Sequence, residues 1–266
     1  LGNSGFFNYE QNIKQVVNDL FDSERYKKYP GLRINMGDID IIGLSLQRYD
    51  YSVESKRNNA FILLHELAHI TDNHFNEQHQ RELYADTLAH LLLIRESNKK
   101  DLSLVKKIPF AKASNILISV EGDIGRYYST NALLAVNDFT AQNNIKGFSF
   151  HQLIDVAKDI TKKFSLTTET RMDLFNRAAS GITAEPKDAL YWEKLLSSME
   201  KTSDKEAYKI YRQISLFEEL QNEVGIKKAN AFLKKRDKEM GFILNPLQDK
   251  ESPPLKAVGK LKYSCL

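Results

Sequence analysis

The sequence predicts an α+β protein that is predominantly α-helical: a short α/β front section of roughly a hundred residues, then a mainly helical remainder. Three observations predict it. A run rich in β-branched and apolar residues, Leu32–Leu46, is punctuated by Gly37 and Gly43. From Arg57 onward, apolar residues recur mostly at helical spacing. Hydrophobic residues make up 42% and charged residues 27% of the 266, the composition of an ordinary globular chain rather than a disordered or collagenous one.

Asn8–Tyr29 is expected to be an amphipathic helix with Ile13, Val16, Val17, Leu20 and Phe21 on one side, broken by Pro30-Gly31. Leu32–Leu46 follows as one strand or two short ones. Arg57–Thr71 is expected to be a helix with Phe61, Leu64 and Ala68 on its core side. Asp72–Glu77 is short and polar, as a turn between helices would be, and Gln78–Glu96 is a second helix with a dense apolar face of Leu83, Leu88, Leu91 and Leu92. Ile108–Glu121 fits strand or helix. Asn131–Asn143, His151–Phe164 and Thr168–Ser180 are expected to be helical. Pro186 suits the first position of a helix running to Glu200. Ser203 with Glu206 forms a capping-box pattern ahead of Ala207–Val224, which Gly225 stops. Ile226–Met240 is a basic helix, and Pro246, Pro253 and Pro254 mark a loose tail.

Composition also excludes functions. The single cysteine, Cys265, cannot form an internal disulfide, and its place second from the end does not fit the prenylation pattern. A reducing, cytoplasmic setting is therefore expected; secretion or delivery into a host stays open because residue 1 is Leu rather than Met. No uncharged apolar run approaches the ~20 residues of a membrane span, and the richest stretch, Thr87–Ile94, contains His90. The net charge of +3 is too small to argue for a nucleic-acid partner, which is therefore not expected. Residues 226–266 hold ten Lys/Arg against four Asp/Glu, a basic end that is most simply a solvated helix face.

The chemistry concentrates in His65-Glu66-Leu67-Ala68-His69, an H-E-x-x-H pentapeptide within a predicted helix. Residues four apart share a helix face, so both imidazoles can address one metal ion. Glu66, on the flank of that face, can reach an activated water without being a ligand and relay its proton. A catalytic zinc needs a third protein ligand and an open position. His74 follows His69 without the intervening glycine of the metzincin pattern. His79, in the predicted turn, remains a candidate. Glu82 is the stronger one: it lies on the next helix with Asp86 one turn further along, so that Asp86 can accept the free N–H of a ligand histidine. A two-helix hairpin joining His65, His69 and Glu82 would give a His₂Glu site.

The pair His65-Glu66-Leu67-Ala68-His69 and Glu82-Leu83-Tyr84-Ala85-Asp86 resembles the gluzincin metallopeptidases. The wider run is similar to ImmA/IrrE-like peptidases, with Phe61 four residues ahead of the first histidine and Ala85, Ala89, Leu91 and Leu92 in a similar rhythm. Asp86 stands where that family often has Asn, and Ile94 where it often has Pro; phage-exclusion Lit-like peptidases are a second resemblance. The likeness covers Arg57–Ile94, about a seventh of the chain. It implies zinc held by His65, His69 and Glu82, Glu66 as general base, and a zincin edge strand at Asp38–Leu46 against which a substrate peptide lies.

The division expected is a zincin-like catalytic core over residues 1–109, a helical section over 110–244 packing on or covering the cleft, and a flexible tail over 245–266. His151, Tyr127, Tyr128 and Arg126 are the candidates for stabilising a transition-state oxyanion, since gluzincins often use Tyr or His there. His90 is most simply a half-buried helix residue, His74 a solvated turn residue, and Tyr191 with Trp192 core packing. The function expected is a zinc-dependent endopeptidase acting on a specific protein or peptide substrate. The alternative is a helical binding protein or non-proteolytic metal protein in which the pentapeptide is structural or accidental.

Overall fold

The computed structural model describes residues 40–41, 44–45, 61–62, 64–72, 75–97, 102, 105–117, 119–120, 123–181, 191–216 and 226–243. The expected helix Asn8–Tyr29, most of the run Leu32–Leu46, His74, Pro186, Gly225 and the tail lie outside these residues. Helices dominate. Among the described residues, sheet is confined to two antiparallel ladders: β1 (Asp40–Ile41) with β2 (Leu44–Ser45), and β3 (Ser119–Val120) with β4 (Asp123–Ile124). The expected extended run thus contributes two short strands, and no described helix is long and apolar enough to cross a membrane.

Helix α1 (61–62 and 64–68) tightens into a 3₁₀ turn over His69–Thr71. The central helix α2 (Gln78–Glu96) is buried on every side from Glu82 to Ile94, as expected of a helix surrounded by others. After α2 come α3 (Ile108–Ala111), with Pro109 in its first turn, and a 3₁₀ turn over Ala113–Leu117. The described residues of the segment Ile108–Glu121 are therefore helical first and extended at β3. Helices α4 (Thr130–Gln142) and α5 (Phe150–Phe164) pack against α2. The start of α5 is fixed by a capping box in which the Ser149 hydroxyl accepts from the Gln152 N–H and the Gln152 side chain accepts from the Ser149 N–H.

Helices α6 (Thr168–Ala179), α7 (Tyr191–Lys201), α8 (Lys205–Ser215) and α9 (Ile226–Met240) follow among the described residues. The cap of α8 is Asp204, one residue past the expected Ser203, because its carboxylate accepts both the Glu206 and Ala207 N–H groups.

Two apolar cores result. One gathers Phe61, Leu64, Leu67, Leu88, Leu92, Leu133, Leu153 and Ile160 from α1, α2, α4 and α5. The core around the motif helices thus continues past residue 109 into α4 and α5. The other joins Ile116 and Tyr128 to Leu195, Met199, Tyr208, Tyr211, Ile214 and Leu233. Arg212 and the Tyr208 hydroxyl both bind Asp237, at 3.0 and 2.8 Å, tying α8 to α9.

Candidate metal centre

The pentapeptide occupies the end of α1. Leu64, Leu67 and Ala68 anchor that helix in the core, which leaves His65 and His69, one turn apart, facing α2. The 3₁₀ turn is pinned where the Thr71 hydroxyl donates to the Ala68 carbonyl (2.9 Å) and meets the Tyr84 hydroxyl of α2 (2.8 Å). Phe75 packs on Tyr84 with ring centroids 5.4 Å apart. The two helices are thereby held at a fixed offset.

At that offset, three ligand-type atoms converge. His65 Nε2 lies 3.1 Å from Glu82 Oε2, His69 Nε2 lies 3.2 Å from His65 Nε2, and His69 Nε2 lies 3.6 Å from Glu82 Oε2. The other ring nitrogens are engaged: His65 Nδ1–H donates to Asp86 Oδ1 and His69 Nδ1–H donates to Asp72 Oδ2, each at 2.7 Å. With Nδ1 carrying the proton in both neutral rings, both Nε2 lone pairs and a carboxylate oxygen are directed at one point. Three such atoms in this proximity repel unless a proton or a metal cation lies between them. This buried group can hold a metal ion. Tetrahedral bonds of about 2.1 Å put ligand atoms about 3.4 Å apart, which matches the three separations.

In the metal-free site the titration tendencies favour protonated imidazoles, a positive charge that a metal ion would replace. Burial disfavours charge on His65, but Asp86 and Glu82 outweigh it and raise its pKa. Burial likewise opposes charge on His69, and Asp72 and Glu82 push it up to about 9. Glu82 is held well below the usual carboxylate range by the two imidazoles, against the opposing effect of burial. Asp86 is only 1% exposed, yet Lys112, His65 and Ser129 bring it down to about 2. The pocket favours positive charge at its centre.

Glu66 is exposed beside His65. His79 is a buried residue of the first turn of α2 rather than part of the connecting turn. Its Nδ1–H donates to the Arg126 carbonyl (3.0 Å) and its Nε2 accepts from the Leu166 N–H (3.5 Å), so it braces two loops and is not among the convergent ligands. His90 is fully buried, with Nε2 bonded to Asn137 Oδ1 at 2.9 Å rather than to Asp86. Of the oxyanion candidates, Arg126 reaches the centre: its Nη2 donates to Glu82 Oε1 at 3.3 Å. Tyr127 lies beneath the Arg126 guanidinium, 4.8 Å away. The Tyr128 hydroxyl donates to Gln213 of α8 (3.4 Å), and His151 is exposed in the first turn of α5.

Four supporting residues escape sequence reasoning. Asp72 orients His69 and is itself bound by Arg81 Nε at 2.8 Å. Lys112 Nζ donates to Asp86 Oδ1 at 3.1 Å. Ser129 stands where α4 wants a cap, but its hydroxyl donates to Asp86 Oδ2 instead. Gln78 Nε2 donates to Glu82 Oε1 at 2.9 Å. The histidine–aspartate spacing of three was the available signal for Asp72; the others depend on the fold or on the direction of one side chain.

Comparison with protein-family models, with curated proteins and with solved structures finds no match to this chain.

Proposed function

We propose that the chain is a zinc-dependent endopeptidase of gluzincin type, which hydrolyses a peptide bond in a specific protein or peptide substrate. The supporting observation is the convergence of two imidazole lone pairs and one carboxylate oxygen, with both Nδ1–H groups tied to carboxylates. Two nitrogens and one oxygen, from buried His65 and Glu82 and half-buried His69, form the donor set of a three-ligand zinc site, and Asp86 and Asp72 hold the positions of the outer partners that fix imidazole orientation in such sites. When bound, zinc supplies Lewis acidity that polarises a carbonyl and lowers the pKa of water.

The chain's own residues do the rest. Glu66 is solvent-accessible and adjacent to a ligand, and its carboxylate takes a proton from the attacking water and delivers it to the departing amine nitrogen. His65 and His69 keep their orientation because Asp86 and Asp72 hold their Nδ1–H groups. A cytoplasmic setting and a partner that is protein rather than nucleic acid belong to the same proposal.

The test is hydrolysis of a peptide library by the zinc-loaded chain alongside Glu66→Gln. The wild-type chain cleaves internal bonds; the variant loses about 10²–10⁴-fold in turnover and keeps its zinc. Zinc retained by a wild-type chain that cleaves nothing would assign the centre to a non-proteolytic metal protein.

A further inference from the structure

Glu82 has two oxygens with different surroundings. Oε2 faces the imidazoles; Oε1 accepts from Gln78 Nε2 at 2.9 Å and from Arg126 Nη2 at 3.3 Å. A carboxylate oxygen offers two lone pairs, so these two donors saturate Oε1. We infer that Gln78 and Arg126 are positioning residues that restrict Glu82 to one ligating oxygen, Oε2, and so keep a coordination position open. The inference rests on the metal-centre reading above.

The two donors come from different places. Gln78 lies one turn before Glu82 on α2. Arg126 arrives on the turn after β4, which is held on several sides. Gly125 has φ +65°, and a Cβ there would lie 2.8 Å from Ile116 Cδ1, so the turn requires glycine. The Arg126 carbonyl is held by His79, the Tyr127 carbonyl by Asn115 Nδ2 (3.1 Å), and the Tyr128 N–H donates to the Gly125 carbonyl (2.9 Å). Buried Arg171 clamps the preceding strand through Asp123 Oδ1 (2.6 Å) and the Ile124 carbonyl (3.2 Å). The scaffold thus delivers one guanidinium to one carboxylate oxygen.

Electrostatics makes that placement informative. A guanidinium beside a cation site repels the cation and weakens the ligand it touches, so affinity alone would not select it. Its benefit is geometric. With Oε1 taken, Glu82 cannot chelate through both oxygens, and the position that water and substrate require stays available.

The experiment uses the full chain with cobalt(II) as probe, read by visible ligand-field absorption and by competition with a chelator. Wild-type chain, Gln78→Ala, Arg126→Ala, the double variant and Arg126→Lys are compared, with circular dichroism of each metal-free form as the folding control. Loss of an outer partner ordinarily weakens metal binding about 10–100-fold. Here the double variant binds cobalt at least as tightly as wild type, its absorption weakens as coordination number rises, and Arg126→Lys retains the wild-type band. Gln78→Ala, at an exposed helix position, shifts the same way if Arg126→Ala fails to fold. Cobalt bands unchanged in every folded variant, or affinity lost as for an ordinary supporting residue, would overturn the inference and leave the metal centre standing. A wild-type chain that takes up no cobalt would overturn both.

Discussion

Asp86→Asn probes the carboxylate on which the centre turns. Asp86 is 1% exposed and serves three donors: His65 Nδ1–H at 2.7 Å, Lys112 Nζ at 3.1 Å and the Ser129 hydroxyl. Asparagine keeps the shape and one acceptor but removes the charge, leaving the Lys112 ammonium without its counter-ion. Breaking a buried pair on one side costs about 3–5 kcal/mol. The Lys112 side chain is 23% exposed and partly solvated, which puts the loss near the lower end, about 3 kcal/mol. At about 2–4 °C per kcal/mol for a chain approaching this size, the melting temperature of the metal-free protein falls by roughly 6–12 °C. Zinc affinity, measured separately by chelator competition, falls about 10–100-fold because His65 loses the partner that fixes its ring. In Asp86→Asn/Lys112→Met the unpaired charge is gone, so part of the stability returns while the zinc affinity does not. A single variant that melts within about 2 °C of wild type and binds zinc equally well would refute the assignment of Asp86 as a buried, charged support.

Other perturbations address the frame around the centre. Burial pushes His90 down to about 4 from its ordinary 6.5, against the Asn137 hydrogen bond and the nearby charge of Asp86, with Lys106 adding to the lowering. Between pH 6.5 and 4 the unfolded chain binds the proton and the folded chain does not, so acidification across that window removes about 3 kcal/mol of stability, whereas above pH 6.5 His90 contributes no slope. Urea midpoints of the metal-free protein at pH 7 and pH 4.5 measure this, and His90→Gln flattens the difference. Leu88→Ala, at a fully buried position of α2, costs about 2–5 kcal/mol in denaturant unfolding through the cavity it leaves.

The sequence carried the helices and the ligands better than their supports. The bounds of α2, Gln78–Glu96, agree with expectation because its apolar density is continuous and polar residues flank it. His65, His69 and Glu82 could be paired in advance because two are one helical turn apart and the third lies just across a short connection. His79 remained open as a ligand because it lies beside that connection, but Glu77 is the extended N-cap of α2, and the first turn of the helix carries His79 away from the ligands. The partners Lys112, Arg126 and Ser129 lie 26 to 44 residues from the carboxylates they bind, and no local period encodes such contacts. Ser129 is the clearest case: its type and place signal a helix cap, and tertiary structure redirects its hydroxyl to Asp86. Ser203 and Asp204 both fit a cap, and the carboxylate prevails by accepting two N–H groups.

The proposed chemistry requires a cation at the meeting point of α1 and α2. Anomalous diffraction at the zinc edge, from crystals of the chain grown with zinc, tests this directly. One strong peak is expected about 2.0–2.2 Å from His65 Nε2, His69 Nε2 and Glu82 Oε2 together. A folded chain whose anomalous map is empty there, with the two imidazoles and Glu82 turned apart, would contradict it.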